Sequence, residues 1–185
     1  AKLGDNYEYV TQDEPKGTAH AVQAVETALS HKTDNVIVLY GDQPYIKPGT
    51  LKALVETHVS SSCPLTIATT TVESFDGDNS ALYHFGRIIR NNNGRIEAIV
   101  EQKDATPEQL KIREVNPAYY CFDAKWLWSN LRKVEDKNAS HEYYLTDLVH
   151  VAIQNGENIE SINIDPKETI GVNTPEDLER LRDLA

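Results

Sequence analysis

Three oxygen-bearing side chains sit where apolar runs stop: Asp42 after "VIVLYG", Glu101 after "IEAIV" and Asn173 after "TIGV". Ligands of open α/β sheets bind beyond the carboxyl ends of strands, which is where such residues fall. A carboxylate and an amide from distant parts of a chain can together hold Mg²⁺, a hard cation that takes a few protein oxygens and fills its shell with ligand phosphates. Gln12 carries a carboxamide, one acceptor and a donor pair, that matches the imide edge of a pyrimidine. Gly17 and Thr18 stand at a helix start, where free N–H groups meet an anion or a base oxygen. In "EYYLTD", Glu142 to Asp147, aromatic and acidic groups crowd a helix start. Either its tyrosines pack on a sheet, or a tyrosine and Thr146 line a sugar pocket. The same residue types also make turns and caps for purely local reasons.

The elements that must position these groups follow from periodicity. Ala21, Val22, Val25, Ala28 and Leu29 recur at helical spacing, which predicts one helix over 18–30 with Thr18 as its N-cap. The run "VIVLY" predicts a strand over 36–40 buried on both faces, delivering Asp42 beside Gly41, where the lack of a side chain lets a ligand approach. A helix over 50–59 and a strand over 65–71 follow, and strand–helix–strand order predicts parallel neighbours joined by a crossover. "GRIIR" and "GRIEAIV" flank "NNNG" and read as a hairpin after the polar stretch 74–81. "VNPAYYCF" reads as another strand, with helices over 124–133 and 143–155 and a strand over 159–164. "NTPE", 173 to 176, opens a last helix with Thr174 as N-cap. The sum is an α/β sandwich with a mixed sheet and a hairpin-bearing insertion over about 74–115.

With 185 residues the chain predicts one domain. Lys and Arg number 18 against 29 acids, for a net charge of −11, so neither nucleic acid nor an anionic membrane is the expected partner. A small phosphate ligand remains compatible, since backbone N–H groups or a metal hold it locally. The two cysteines, Cys63 and Cys121, match no metal spacing and read as interior fillers of a cytoplasmic protein. The six histidines form no metal spacing either and read as surface or filler groups.

Read in order, "GTAHAV", "LYGDQP", "FGRIIR", "IVEQKDAT", "REVN", "NASHEYYLTDLV" and "GVNTPEDL" resemble the uridylyltransferase (pyrophosphorylase) domain of the N-acetylglucosamine-1-phosphate uridylyltransferases. The resemblance spans nearly all of the chain. It implies a three-layer, Rossmann-like nucleotide-diphospho-sugar transferase fold that joins UTP and N-acetylglucosamine-1-phosphate into UDP-N-acetylglucosamine and pyrophosphate. It implies uracil contacts from Gln12, Gly17 and Thr18, and ribose and phosphate contacts from Tyr40, Gly41 and Asp42. Gly86, Glu101, Asn116, Tyr144 and Thr146 would hold the sugar, and Asp42 and Asn173 would ligate Mg²⁺.

Two departures shape the expectation. The family opens with a strand and a glycine-rich basic loop, whereas the nine glycines here never form a G-x-G pair, so that first strand and loop are expected to be truncated or supplied by a complementing segment or another copy. No left-handed β-helix is expected within these residues, and the resemblance implies no acetyltransferase activity for them. Pro117 and Ala118 stand where the family usually has Thr-Gly after the asparagine. The alternatives are a non-catalytic nucleotide-sugar binder and a related transferase using another base or sugar.

Overall fold

The computed structural model describes residue 4, residues 6–172, and residues 174 and 179. Among them the strands are β1 (Asn35–Val38), β2 (Leu65–Thr71), β3 (Gly86–Arg90), β4 (Ile96–Val100), β5 (Glu114–Asn116), β6 (Tyr120–Asp123) and β7 (Ile159–Asn163). The helices are α1 (Thr18–Ala24), α2 (Glu26–Leu29), α3 (Pro48–Ser61), α4 (Ala124–Leu131) and α5 (Asp147–Gln154).

β2, "LTIATTT", is rich in β-branched residues and buried from Leu65 to Thr70, as a strand paired on both edges should be. β7 runs parallel along one edge. The other edge is shared, with β6 pairing Leu65–Ile67 and β5 pairing Thr70–Thr71, both antiparallel. β1 continues beyond β6, while β3 and β4 continue beyond β5, giving one mixed sheet of seven strands. Alternation then sorts side chains to two faces. Leu65, Ile67, Tyr120 and Phe122 meet α1, α4 and α5, whereas Ala68, Tyr119 and Cys121 meet Leu54 of α3. The three layers form a nucleotide-diphospho-sugar transferase, Rossmann-like fold.

Several sequence expectations are corrected. The helix over 18–30 breaks at Val25 into α1 and α2. β1 and β2 share a direction, but β6 lies between them, so they are not hydrogen-bonded neighbours. "VNPAYYCF" is two strands, because Pro117 lacks a donor and Ala118 turns left-handed at φ 65°. The helix expected from Tyr143 starts at Asp147, since Tyr143 directs its N–H group to Lys16 and Leu145 directs its own to Thr18 at the start of α1. β1 is not buried on both faces: it ends the sheet, and Ile37 is 40% exposed. The helix expected at 173–176 falls almost wholly outside the described residues. Cys63 and Cys121 are free and buried, as fillers should be.

Arg87 was not singled out in sequence, yet it is wholly buried. Among the described residues no carboxylate pairs with it. Its guanidinium donates to the Phe85 carbonyl and, at 2.9 Å, to the Tyr83 carbonyl, and lies over the Phe75 and Tyr83 rings. It thereby ties the 3₁₀ segment Gly77–His84 to β3. Arg90 on the same strand makes a bidentate pair with Glu114 near the surface. In denaturant titrations Arg87→Ala should cost about 3–5 kcal/mol, from two orphaned carbonyls and a cavity, whereas Arg90→Ala should cost about 1 kcal/mol or less.

Candidate functional site

The site is built on a short backbone exchange between distant segments. Tyr143 N–H donates to Lys16 O at 2.8 Å, and Ala19 N–H donates to Tyr143 O at 2.9 Å. Leu145 N–H then donates to Thr18 Oγ1 at 2.9 Å. The approach demands Gly17, whose φ is 113° and whose added Cβ would lie 2.5 Å from Tyr143 O. Because Ala19 N–H is used here, the amino end of α1 is not an open row of donors. Gln12 Nε2 donates to Gly17 O at 3.2 Å and meets His20 Nδ1 at 3.0 Å, leaving its Oε1 as the outward acceptor among the described residues.

Tyr40, just past β1, joins this segment to the rest. Burial pushes its phenol up to about 12, with a Thr18 hydrogen bond opposing and the Glu101 and Asp42 charges adding to the rise. The phenol is therefore neutral and a donor at physiological pH. Tyr120, also missed in sequence, lies deeper; burial and then Tyr40 raise it well above the ordinary tyrosine value.

Glu101 follows β4 at the sheet's far side, where Thr146 Oγ1 donates to it at 3.1 Å. Burial raises the Glu101 carboxyl above the usual range, reinforced by Asp104 and Asp147. Gly86 lies against it: a Cβ there would sit 3.5 Å from both carboxylate oxygens and 3.0 Å from Ile99 Cγ2. Gly86 is also in register with Asn116 across β3 and β5. The Asn116 amide bonds its own loop, accepting from Ala118 N–H at 3.0 Å and donating to Tyr120 Oη at 2.6 Å. One amide hydrogen and one oxygen lone pair are left for any ligand. Tyr144, half-buried, has its phenol raised by burial and by Asp104, Glu101 and Glu142, with a Ser140 hydrogen bond opposing.

Asp42 lies exposed in the turn after β1, and no group among the described residues bonds its carboxylate. Its carbonyl accepts from Val172 N–H at 2.8 Å, the residue preceding Asn173. Asn173 itself lies outside the described residues. Gly41 differs from Gly17: an added Cβ meets nothing within 4 Å, so the protein's own packing does not require glycine there. Residues 12 to 146 are thus gathered at one end of the sheet, and His20, Tyr120, Asp104 and Asp147 complete the surroundings. The aromatic pair Tyr119–Tyr120 was the available signal for Tyr120. Asp104 lies within "IVEQKDAT", but the sequence alone gives it no role.

Gly17→Ala should lower stability by roughly 2–5 kcal/mol, since the strain of a positive φ adds to a backbone clash; chemical unfolding measures it. Glu101→Gln has a pH-dependent sign. A carboxyl raised in the folded state favours folding when protonated and loses that contribution as pH rises through its folded value. The glutamine variant should therefore melt higher than the parent near pH 7.5 and lose that advantage toward pH 4, as thermal scans at both values will record.

The residues of this end also bear on kinship. The chain matches the nucleotidyl transferase family model over residues 1–168. The bifunctional protein GlmU of Brevibacillus brevis is 40% identical over 174 residues, covering 94% of this chain and 36% of that protein. The GlmU of Clostridium botulinum is 42% identical over 166 residues, covering 90% and 35%, and that of Clostridium perfringens 36% identical over 179 residues, covering 97% and 38%. The chain spans about a third of the length of these relatives. With the three-layer fold and a family match over most of its length, the chain belongs to the nucleotidyl transferase family.

Proposed function

We propose that this chain forms the substrate-binding body of a Mg²⁺-dependent uridylyltransferase that makes UDP-N-acetylglucosamine and pyrophosphate from UTP and N-acetylglucosamine-1-phosphate. One observation carries the reading: Thr18 is hydrogen-bonded to Tyr40, Thr146 donates to Glu101, and the Glu101 charge is near enough to raise the Tyr40 phenol, although the four come from separate stretches of sequence. Gln12 Oε1 and the Gly17–Thr18 backbone would face the uracil, and Tyr40 and Gly41 the ribose and phosphates. Glu101, Gly86, Asn116, Tyr144 and Thr146 would face the sugar, the carboxylate accepting from its hydroxyls.

Asp42 fits a hard cation, since its carboxylate is exposed and uncommitted to any described residue while its backbone is pinned by Val172. With Asn173 it would hold Mg²⁺, which when bound neutralises charge between the two anionic substrates. In the reaction an oxygen of the sugar phosphate bonds to the α-phosphorus of UTP. The bond from that phosphorus to the bridging oxygen breaks, and pyrophosphate leaves with the electron pair. The nucleophile is already an anion, so the side chains need move no proton, and their contribution is orientation.

The alternative is a nucleotide-sugar binder without turnover. Pyrophosphate release from UTP and N-acetylglucosamine-1-phosphate separates the two. Turnover that needs Mg²⁺ and falls at least about a hundredfold in Asp42→Ala supports the enzyme. Gly41→Ala should keep stability within about 0.5 kcal/mol yet raise KM for UTP. Binding of UDP-N-acetylglucosamine without turnover supports the binder, and absence of both overturns both readings.

A further inference from the structure

Between Leu131, the end of α4, and Asp147, the start of α5, the chain forms neither helix nor strand. A connection this long with no element of its own is uncommon in a compact domain and is a common place for function. Its middle folds on Asn138, whose Oδ1 accepts from Ser140 N–H and Glu142 N–H, both at 3.2 Å. The Asn138 carbonyl accepts from His141 N–H at 3.1 Å, and His141 closes the fold in the left-handed region at φ 54°. This loop is docked on the turn after β4. Asp104 Oδ1 accepts from Ala139 N–H at 3.0 Å, and Lys103 Nζ donates to Ser140 Oγ at 3.2 Å. Asp104 N–H in turn donates to Glu101 O at 3.0 Å, so the turn that holds the loop begins at Glu101 itself. On the loop's other side Ser140 is hydrogen-bonded to the Tyr144 phenol.

We propose that Asp104 is a positioning residue for the sugar end: by holding Ala139 it sets where Tyr144 stands relative to Glu101. The inference deepens the uridylyltransferase reading and rests on it. Tyr144 is only half-buried, so packing does not fix its ring, and its bond to Ser140 passes on whatever position the loop has. The loop's position against Glu101 depends in turn on the Asp104 and Lys103 bonds. Stability alone is a poor account of Asp104. Its charge strengthens the bond to the Ala139 N–H. The same charge stands among like charges: burial raises the Glu101 and Asp147 carboxyls, and Asp104 adds to both. The two effects oppose each other, and what remains is a fixed distance between two groups that would face one substrate.

The test combines amide hydrogen exchange of the ligand-free chain with kinetics on UTP and N-acetylglucosamine-1-phosphate. Asp104→Ala should leave Tm nearly unchanged and speed exchange at Ala139 about tenfold or more. It should raise KM for the sugar phosphate about tenfold while KM for UTP stays within about twofold. Asp104→Asn keeps an acceptor oxygen and should return both exchange and KM to within about threefold of the parent. The proposal is overturned if Ala139 exchanges equally fast in the parent and in Asp104→Ala, or if KM for the sugar phosphate does not move. It is also overturned if both KM values rise together, or if asparagine fails to restore, since charge and not the bond would then matter. A parent that protects Ala139 but releases no pyrophosphate overturns the uridylyltransferase reading instead. Asp104 is then judged by affinity for UDP-N-acetylglucosamine: loss in the alanine variant with return in the asparagine variant supports it, and any other result overturns it.

Discussion

Gly17 lies against the backbone of Tyr143, and the candidate site depends on that approach. The hydrogen bonds between Lys16–Ala19 and Tyr143–Leu145 join two segments up to 127 residues apart in sequence. Tyr40 then meets Thr18, and Thr146, one residue beyond Leu145, meets Glu101. A side chain at position 17 would separate the two segments, and the Gln12–Tyr40 end would lose its fixed relation to the Glu101–Thr146 end. A glycine with positive φ costs conformational entropy on folding. Here that cost is offset by three backbone-anchored bonds, and it replaces whatever longer connection would otherwise be needed to align the two halves.

The second constraint is the shared edge of β2. Its first half pairs with β6 and its second with β5, so the chain between them must bend within Pro117–Tyr119. Ala118 makes the bend with φ 65°, and the Asn116 carboxamide holds it by bonding both Ala118 N–H and Tyr120 Oη. The bend directs β3 and β4 away from the main sheet and sets Gly86 and Glu101 opposite Thr146. A residue expected from resemblance to touch a sugar is thus first of all the brace of the strand switch. Pro117 fits the same logic, because a residue without an N–H loses nothing where the ladder is interrupted.

What was legible in the sequence was local. Period-2 and period-3.6 patterns located β2, β7, α3 and α4 to within a few residues, and "NNNG" marked the β3–β4 turn, with Gly94 at φ 78°. The failures share a cause: tertiary hydrogen bonds outweighed propensity. Tyr143–Leu145 are good helix material, but their N–H groups are held elsewhere, so α5 begins at Asp147. β6 inserts between β1 and β2 because strand order depends on residues far apart in sequence, which spacing alone does not encode. Arg87 escaped notice since an arginine in "GRIIR" reads as a solvated face; only the Tyr83 and Phe85 carbonyls and the rings around it explain its burial.

Two carboxylates are held by the fold in opposite ways. Glu168, 4% exposed, accepts from Lys47 N–H at 3.0 Å and Thr50 Oγ1 at 2.6 Å, with Lys47 Nζ at 3.3 Å. Its charge is fully answered from within, so its role ends at joining the start of α3 to the chain after β7. Asp42 is arranged the other way: its carbonyl is fixed by Val172, and its carboxylate faces out with no described partner. A side chain held by its backbone alone keeps its oxygens for a ligand while its position stays set by the sheet. The fold holds Asp42 in place with no described partner on its carboxylate, the arrangement that the proposed role as a cation ligand needs.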